Sequence, residues 1–413
     1  MNLLVWSQYF WPENFRINEL VLALQRQGVH VSILTGMPNY PDGRIFPGYR
    51  ASGLMVEDYH GMAVRRIPLW PRGYRSAVGL LLNYVSFVIS GVLFAPWLLR
   101  GQAVDAVLVY APSPLLQTLP AIFCAWIKRA PLILWVQDIW PEAIESTGFI
   151  RNPWLLKGVE WIMRLIYRHC DSILIQSEAF RPSVERLLAD REKIRFYPNA
   201  AEDWPESPGA DSAEIKALAA DMARYFSVVF AGNLGKAQAC GTMLEAAERL
   251  KSHPDIRFYL VGGGSEASVL QAIIRDRHLD NVVMTGPLPA SAMPTILAGG
   301  SVLLLSLAGD AALTATIPSK LQTYLSAGKP VLASVTGEAA RIVAEADAGL
   351  ACPGGDADAL AETVLRLHAL PPQRLAEMGA NGRAYARTHF GLEQLSAELI
   401  DHIHGLLEER RTA

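Results

Sequence analysis

Eleven short apolar runs, alternating with helix-like stretches along the whole chain, limit its possible folds more than any other feature. They read LLVW, HVSILT, AVRRIPL, AVLVYA, LILWVQ and SILIQS in the first half, then SVVFAG, RFYLVGG, VVMTG, VLLLS and PVLAS in the second. Near-continuous apolar runs of this length suit strands covered on both faces, as parallel sheets are. Strand, helix, strand repetition through both halves predicts two α/β domains of the doubly wound, Rossmann-like type, facing each other across a cleft. The length agrees, since 413 residues exceed one ordinary core and suit two of roughly 200 residues. Between them Pro198 to Ser212 (PNAAEDWPESPGADS) reads as a linker, which places the domains at 1–205 and 206–390, with a helical tail at 391–413.

Charge and cysteine usage exclude several classes. The formal net charge of −3 divides into +3 over residues 1–205 and −6 over 206–413. Neither half has the strongly basic character of a nucleic-acid binder. Cys124, Cys170, Cys240 and Cys352 form no CxxC pair, so neither a disulfide framework nor a zinc ribbon is indicated. The amino terminus MNLLVWSQYF has no basic region and runs straight into a strand, which gives no export signal and points to a reducing cytoplasm.

One segment breaks the soluble pattern. Residues 78–99 (VGLLLNYVSFVISGVLFAPWLL) carry no charge over 22 positions, and about 20 suffice to cross a bilayer. A crossing would split the strands before residue 70 from the strand at Val107 to Tyr110, which should share a sheet. An interfacial or re-entrant helix keeps the sheet whole; a buried core helix is the alternative. Arg44, Arg50, Arg65, Arg66, Arg72, Arg75 and Arg100 face only Glu57 and Asp58 over this region, beside Trp70, Tyr74 and Trp97, a balance suited to an anionic membrane surface.

In α/β sheets ligands sit beyond the carboxyl ends of strands, so the loops there are the candidate sites. The segment TIPSKLQTYLSAGKP places Thr316 as N-cap, Pro318 in the opening turn and Gly328 with Pro330 at the stop, so Lys320 lies near the positive end of a helix. A cation there is disfavoured by about 0.3–1 kcal/mol unless an anion joins it, when free N–H groups, Ser319 and the ammonium converge on one phosphate. The alternative is a surface lysine turned to water. Gly232-Asn233-Leu234-Gly235-Lys236-Ala237-Gln238 and Gly262-Gly263-Gly264-Ser265 end two strands of the same half and are phosphate-compatible turns, though ordinary turns use the same residues. In the first half, LILWVQ leads into Asp138 and Glu142, carboxylates able to orient hydroxyls or accept a proton; a capping role for Asp138 is equally open. The first two strands end in Glu13 and Asn14, and in Asn39 and Tyr40, groups suited to a carbohydrate or lipid-phosphate acceptor. No HExxH or GxSxG motif occurs, leaving zinc hydrolysis and elbow-serine chemistry without support.

Together DSILIQS, Pro198-Asn199, the Gly232 turn, Gly262 to Gly264, Gly286 and Gly328-Lys329-Pro330-Val331 resemble the GT-B glycosyltransferases of family 4 over nearly the whole chain. YFWPE, TGMPNYPDG, QDIWPE, GNLGKAQ and PSKLQTYLSAGKP are similar to its WbuB-like branch, N-acetyl-L-fucosamine transferases of bacterial surface-polysaccharide assembly. The family's usual Arg and Lys after the first strand of the second domain fall on Asn233 and Gln238. Its two glutamates fall on Ala315 and Thr323, and its first-domain histidine on Gln137.

The resemblance implies a GT-B fold and retaining transfer from a nucleotide-sugar donor, UDP-linked with an acetamido sugar such as FucNAc. It implies a polyprenyl-diphosphate-linked acceptor in O-antigen, capsule or exopolysaccharide synthesis, on the inner face of the cytoplasmic membrane. No protein nucleophile, cofactor or metal is expected. Donor contacts would come from Gly232, Asn233, Gly235, Lys236, Gln238, Gly262, Gly264, Pro318, Ser319 and Lys320, with Lys320, Asp138 and Glu142 nearest the chemistry. Glu13, Asn14, Asn39 and Tyr40 would meet the acceptor, and Leu392 to Glu409 would pack back on the first domain. A sugar-nucleotide epimerase on the same fold, or a non-catalytic scaffold of a polysaccharide assembly complex, are the rival readings.

Overall fold

A computed structural model of the chain describes residues 1–73, 77–142, 152–201, 212–309 and 314–412. It divides into two compact units, Met1–Ala200 with Leu392–Ala413, and Ala201–Gly391. Most of the expected linker, 202–211, lies outside the described residues, as do Tyr74 and Arg75.

The first unit is an eight-stranded sheet of β1 (Asn2–Trp6), β2 (His30–Gly36), β3 (Met55–Tyr59), β4 (Met62–Ile67), β5 (Ala106–Ala111), β6 (Leu132–Val136), β7 (Ser172–Ile175) and β8 (Ile194–Phe196). Their order is β3-β4-β2-β1-β5-β6-β7-β8, parallel except for the β3–β4 hairpin. Its central strands are buried throughout, β5 and β6 at every position, which is why they read as unbroken apolar runs. On one face lie α1 (Ile17–Arg26) and the C-terminal helix Leu392–Thr412, whose Leu395, Leu399 and Ile403 join the core formed by Leu3, Val5 and Leu108. Tyr197 Oη donates to Leu395 O at 2.9 Å, and Arg26 pairs with Glu393. A row of helices packs side by side elsewhere: α2 (Ala77–Leu98), α3 (Thr118–Lys128), α4 (Pro153–His169) and α5 (Arg181–Leu187).

Helix α2 carries β4 to β5 within one sheet, a connection that lays it along the sheet instead of across a bilayer. Asn83 and Phe87 are fully buried, and Phe87 meets Trp6 edge-on at 6.3 Å. The opposite stripe is open: Val78, Leu81, Leu82, Val85, Ile89, Val92, Leu93 and Trp97 are all exposed, Leu93 at 64% and Trp97 at 65%. Only 28% of its most apolar window is buried, so the segment is not a core helix.

The second unit is a six-stranded parallel sheet of β9 (Phe226–Ala231), β10 (Ile256–Val261), β11 (Val282–Gly286), β12 (Val302–Ser306), β13 (Val331–Ser334) and β14 (Gly349–Cys352), in the order β11-β10-β9-β12-β13-β14. Its helices are α6 (Ala213–Met222), α7 (Cys240–Arg249), α8 (Ala267–Asp276), α9 (Met293–Gly299), α10 (Ser319–Ala327), α11 (Glu338–Glu345), α12 (Ala357–His368) and α13 (Pro372–Phe390). Strands β3, β8 and β14 escape the sequence reading because each lies at a sheet edge, where burial is partial and the apolar run is broken. Helix α10 starts one residue past Pro318, its N-cap, so Thr316 is not the cap; Pro318 takes that place with an extended ψ of 138°. Gly328 ends the helix at φ 70°, the left-handed position glycine fills without steric cost.

Each sheet has one point where the chain reverses its direction of growth, β1/β5 in the first and β9/β12 in the second. Beyond the second, the backbones of the Gly232 and Gly262 turns touch. Gly232 N donates to Val261 O and Leu234 N to Gly263 O, both at 2.8 Å. A Cβ on Gly262 would fall 1.9 Å from Gly232 O, at a φ of +140°. Both backbones are pinned by strands, so neither can yield. Gly262→Ala is therefore expected to destabilise this unit by roughly 3 kcal/mol or more, read as a lowered midpoint in urea unfolding; a change below 1 kcal/mol would show that the turns can separate.

Candidate active site

In the second unit the reversal between β9 and β12 opens the sheet where Lys320 enters. Tyr324, one turn further along α10, accepts from Ala231 N at 2.9 Å and donates to Ala231 O at 3.2 Å. That clamp holds the first turn of α10 against the end of β9. Lys320 then lies across Gly232, so close that a Cβ there would come within 2.4 Å of its Cε. Its Nζ sits 3.8 Å from the centre of the Phe230 ring, buried and without a hydrogen-bond partner among the described residues. A surface lysine turned to water is thereby excluded. Burial lowers its pKa to about 8. A buried ammonium with no acceptor costs several kcal/mol relative to water, and a ring face returns only part of that.

The neighbouring turns frame the same spot. A Cβ on Gly264 would lie 2.3 Å from Leu234 O and 2.7 Å from Asn233 Oδ1, so this turn tolerates only glycine. With its amide nitrogen facing the loop carbonyls, Gln238 donates to Gly235 O at 3.2 Å and Asn233 O at 3.3 Å, while Ser306 Oγ donates to Gln238 O at 2.9 Å. Gln238 thus shapes the turn. Asn233 is exposed at its mouth, as is Ser319 at the start of α10. Lys236 is exposed and lines a separate shallow groove with Glu245 and Glu266, which leaves Lys320 as the cation at Gly232.

In the first unit the loops after β1, β2 and β6 supply the expected residues, but with divided roles. Glu13 is 2% exposed. Its carboxylate accepts from Asn39 N at 2.8 Å, Tyr40 N at 2.7 Å and Phe10 N at 3.2 Å. Burial raises its pKa to about 7, against the pull of these donors. Instead of facing an acceptor, Glu13 ties two loops together. Arg66 does the same from below, fully buried, bonded to Gly36 O at 2.8 Å, to Trp11 O and to Glu57. Asn39 is also fully buried, donating to Met37 O and accepting from Arg72 N and Asn83 Nδ2. Asn14 and Tyr40 are exposed.

Asp138 lies just past β6, mostly buried, and burial pushes its carboxyl up to about 6. Glu142 is occupied: Arg186 of α5 binds it at 2.9 Å and Glu160 of α4 at 2.8 Å. The first unit also presents a group absent from the sequence expectations, in which Tyr9 stacks with Phe15 at 5.3 Å, Tyr40 leans on both, and Arg72 lies over the Tyr9 and Tyr40 rings. The rule that points to loops after strands applies to Trp70-Pro71-Arg72 after β4, although by charge alone the arginine reads as one of the membrane-facing set. Of those seven, Arg66 is buried in its ion pair, and Arg44, Arg50 and Arg100 are exposed. Among the described residues no three His, Cys, Asp or Glu side chains are arranged to hold a metal ion.

Two family descriptions match the chain: "Glycosyl transferase 4-like domain" over residues 14–200 and "Glycosyl transferases group 1" over 225–369. An Escherichia coli K12 protein, provisionally named a colanic acid biosynthesis glycosyl transferase, WcaI, is 26% identical over 346 residues, covering 79% of this chain and 82% of its own. Among solved structures, sucrose-phosphate synthase from Thermosynechococcus elongatus superposes with a TM-score of 0.75 at 16% identity, over 99% of both chains. Anabaena HepE in complex with UDP does so with a TM-score of 0.68 at 14% identity, over 98% of this chain and 100% of its own. With one glycosyltransferase description on each of two parallel-sheet units, the chain is a glycosyltransferase with the GT-B fold.

Proposed function

We propose that this glycosyltransferase moves a sugar from a UDP-linked donor to a polyprenyl-diphosphate-linked saccharide at the membrane surface, during assembly of a bacterial surface polysaccharide. The observation that carries this reading is Lys320: a buried ammonium with no hydrogen-bond partner among the described residues, at the positive end of α10 and against the glycine turn of β9. An anion is what such a site lacks. A nucleotide diphosphate supplies two negative groups, and the ammonium, the first N–H groups of α10 and Ser319 would stabilise the charge that develops as it leaves. Transfer with retention then needs no protein nucleophile; the acceptor hydroxyl attacks from the face the diphosphate vacates, with Asp138 as the carboxylate available to orient it. The UDP complexes of HepE and the colanic acid assignment of WcaI support the donor class and the polysaccharide context. An acetamido-deoxyhexose such as FucNAc, the sugar of the WbuB-like branch, is the donor to try first.

The membrane part of the reading rests on the outer face of the α2–α3–α4 layer. Beside the open stripe of α2, Trp126 is 74% exposed on α3, and Trp154 and Trp161 are 77% and 64% exposed on α4. Tryptophan belongs at the boundary between headgroups and acyl chains, and Lys157 lies over the Trp154 ring at 5.2 Å. Large exposed apolar patches mark contact surfaces. In flotation with vesicles containing anionic lipid, the protein should rise with the vesicles, and Ile89→Glu with Leu93→Glu should leave it at the bottom while retaining its circular dichroism spectrum. Wild-type protein that stays down at every salt concentration removes this part.

Lys320→Ala should lower turnover by about a hundredfold or more, the loss typical of one charge-stabilising donor. Lys320→Met, which keeps the apolar stem but no charge, should instead raise the ligand-free melting midpoint, by about 2–4 °C for each kcal/mol relieved. The two pKa shifts set a bell-shaped pH profile for the free enzyme. Activity is gained as Asp138 ionises near pH 6 and lost as Lys320 loses its proton near pH 8. Lys320→Arg should push the alkaline limb upward; an unmoved limb would assign it to another group.

A further inference from the structure

We infer that Arg72, cradled by Tyr9 and Tyr40, is an anion-binding residue that takes the diphosphate of the lipid-linked acceptor. The inference rests on the proposed function for the identity of that acceptor, and on geometry for the site itself. The Arg72 guanidinium lies 5.8 Å from the Tyr9 ring centre and 5.0 Å from that of Tyr40. Its Nη1 donates to Tyr9 Oη at 3.3 Å. A guanidinium offers five N–H donors, and this is its one side-chain hydrogen bond among the described residues.

Several other arginines of the unit are held in ion pairs. Arg16 pairs with Glu19, Arg26 with Glu393, Arg66 with Glu57, Arg181 with Glu178, Arg186 with Glu142 and Glu160, and Arg410 with Asp171. Arg72 forms no ion pair among the described residues. Stacked on rings, a planar guanidinium keeps its edge donors in a fixed fork, which matches the oxygens of a phosphate. The loop that carries it is itself fixed: Arg72 N donates to Asn39 Oδ1, and Asn39 Nδ2 donates to Met37 O.

The surroundings define what kind of anion fits. On one side the same loop is fastened to α2, since Trp70 N donates to Ser86 Oγ at 2.7 Å and Asn83 Nδ2 donates to Trp70 O at 2.6 Å. Beyond that seam begins the exposed apolar stripe of α2. Tyr84, on α2 itself beside Asn83, has the charges of both Arg72 and Asp138 near enough to act on its phenol. A cation between an apolar surface and a group of hydroxyl and carboxyl side chains suits an amphiphile with a charged middle. The lipid would lie along α2, the diphosphate on Arg72, and the sugar toward Tyr84 and Asp138.

Binding can be measured without transfer, by calorimetry with three probes: inorganic diphosphate, farnesyl diphosphate and farnesol. Farnesyl diphosphate should bind most tightly. Arg72→Gln should weaken it by about 10- to 100-fold, the range of one or two charge-assisted hydrogen bonds, with Arg72→Lys recovering part. UDP affinity and the melting midpoint should stay within twofold and 2 °C. In transfer assays Arg72→Gln should raise KM for the lipid-diphosphate acceptor while donor KM is unchanged. Equal farnesyl diphosphate affinity in wild type and Arg72→Gln overturns the inference, even if sugar transfer proceeds. Arg72-dependent binding of inorganic diphosphate with no preference for the prenyl form leaves an anion site and removes the lipid. Arg72-dependent prenyl diphosphate binding without transfer to any lipid-linked acceptor sustains the inference and overturns the proposed function instead.

Discussion

A parallel sheet covered on both faces has no room for an uncompensated polar group, and this one constraint arranges everything else in the protein. Strands β5, β6, β12 and β13 are buried along their full length, so groups able to do chemistry are displaced to the loops beyond the strand ends. Because the strands run the same way, those ends lie on one edge of each sheet. The reversal at β9/β12 then brings the Gly232 turn and the start of α10 together, and the reversal at β1/β5 does the same for the loops carrying Tyr9 and Ser113. Site residues far apart in sequence become neighbours for that topological reason.

Buried charge separates groups that build the site from groups that await a ligand. Arg66 and Glu13 are nearly inaccessible, yet their polar atoms bond to backbone groups of two loops and, for Arg66, to Glu57. Such satisfied charges rigidify the surrounding backbone. Lys320 is half-buried as a residue, but its ammonium is buried with no hydrogen-bond partner among the described residues, and its lowered pKa expresses that imbalance. Sites of this kind are retained at a cost to stability because a ligand supplies the missing partner. Gln238 closes its own turn, and among the described residues Lys320 is the cation lying against Gly232.

The apolar surface of the first unit follows from the same layering. A helix packed on a sheet needs only one buried stripe, and α2 supplies it with Asn83, Phe87, Ser90 and Ala95. Its second, outward stripe adds nothing to the sheet. The tryptophans on α3 and α4 extend it, giving the unit a broad apolar face beside the loops that hold Arg72 and Tyr40.

Local sequence determined the parts of this protein that depend on periodicity and backbone chemistry. The central strands announced themselves as apolar runs because burial on two faces leaves no alternation, and Gly328 marked the end of α10 because only glycine enters the left-handed conformation freely. The phosphate-compatible turns and Lys320 were legible for similar reasons. Strands β3, β8 and β14 were not, since an edge strand owes its existence to a neighbour. Tertiary structure alone decided which charges are spent: Glu13 and Glu142 look as available in sequence as Asp138, yet the first bonds to three backbone groups and the second to Arg186. It also moved Arg72 from a presumed membrane charge to an aromatic cradle. Whether a charged side chain has a partner depends on residues tens to hundreds of positions away, and no local pattern contains that information.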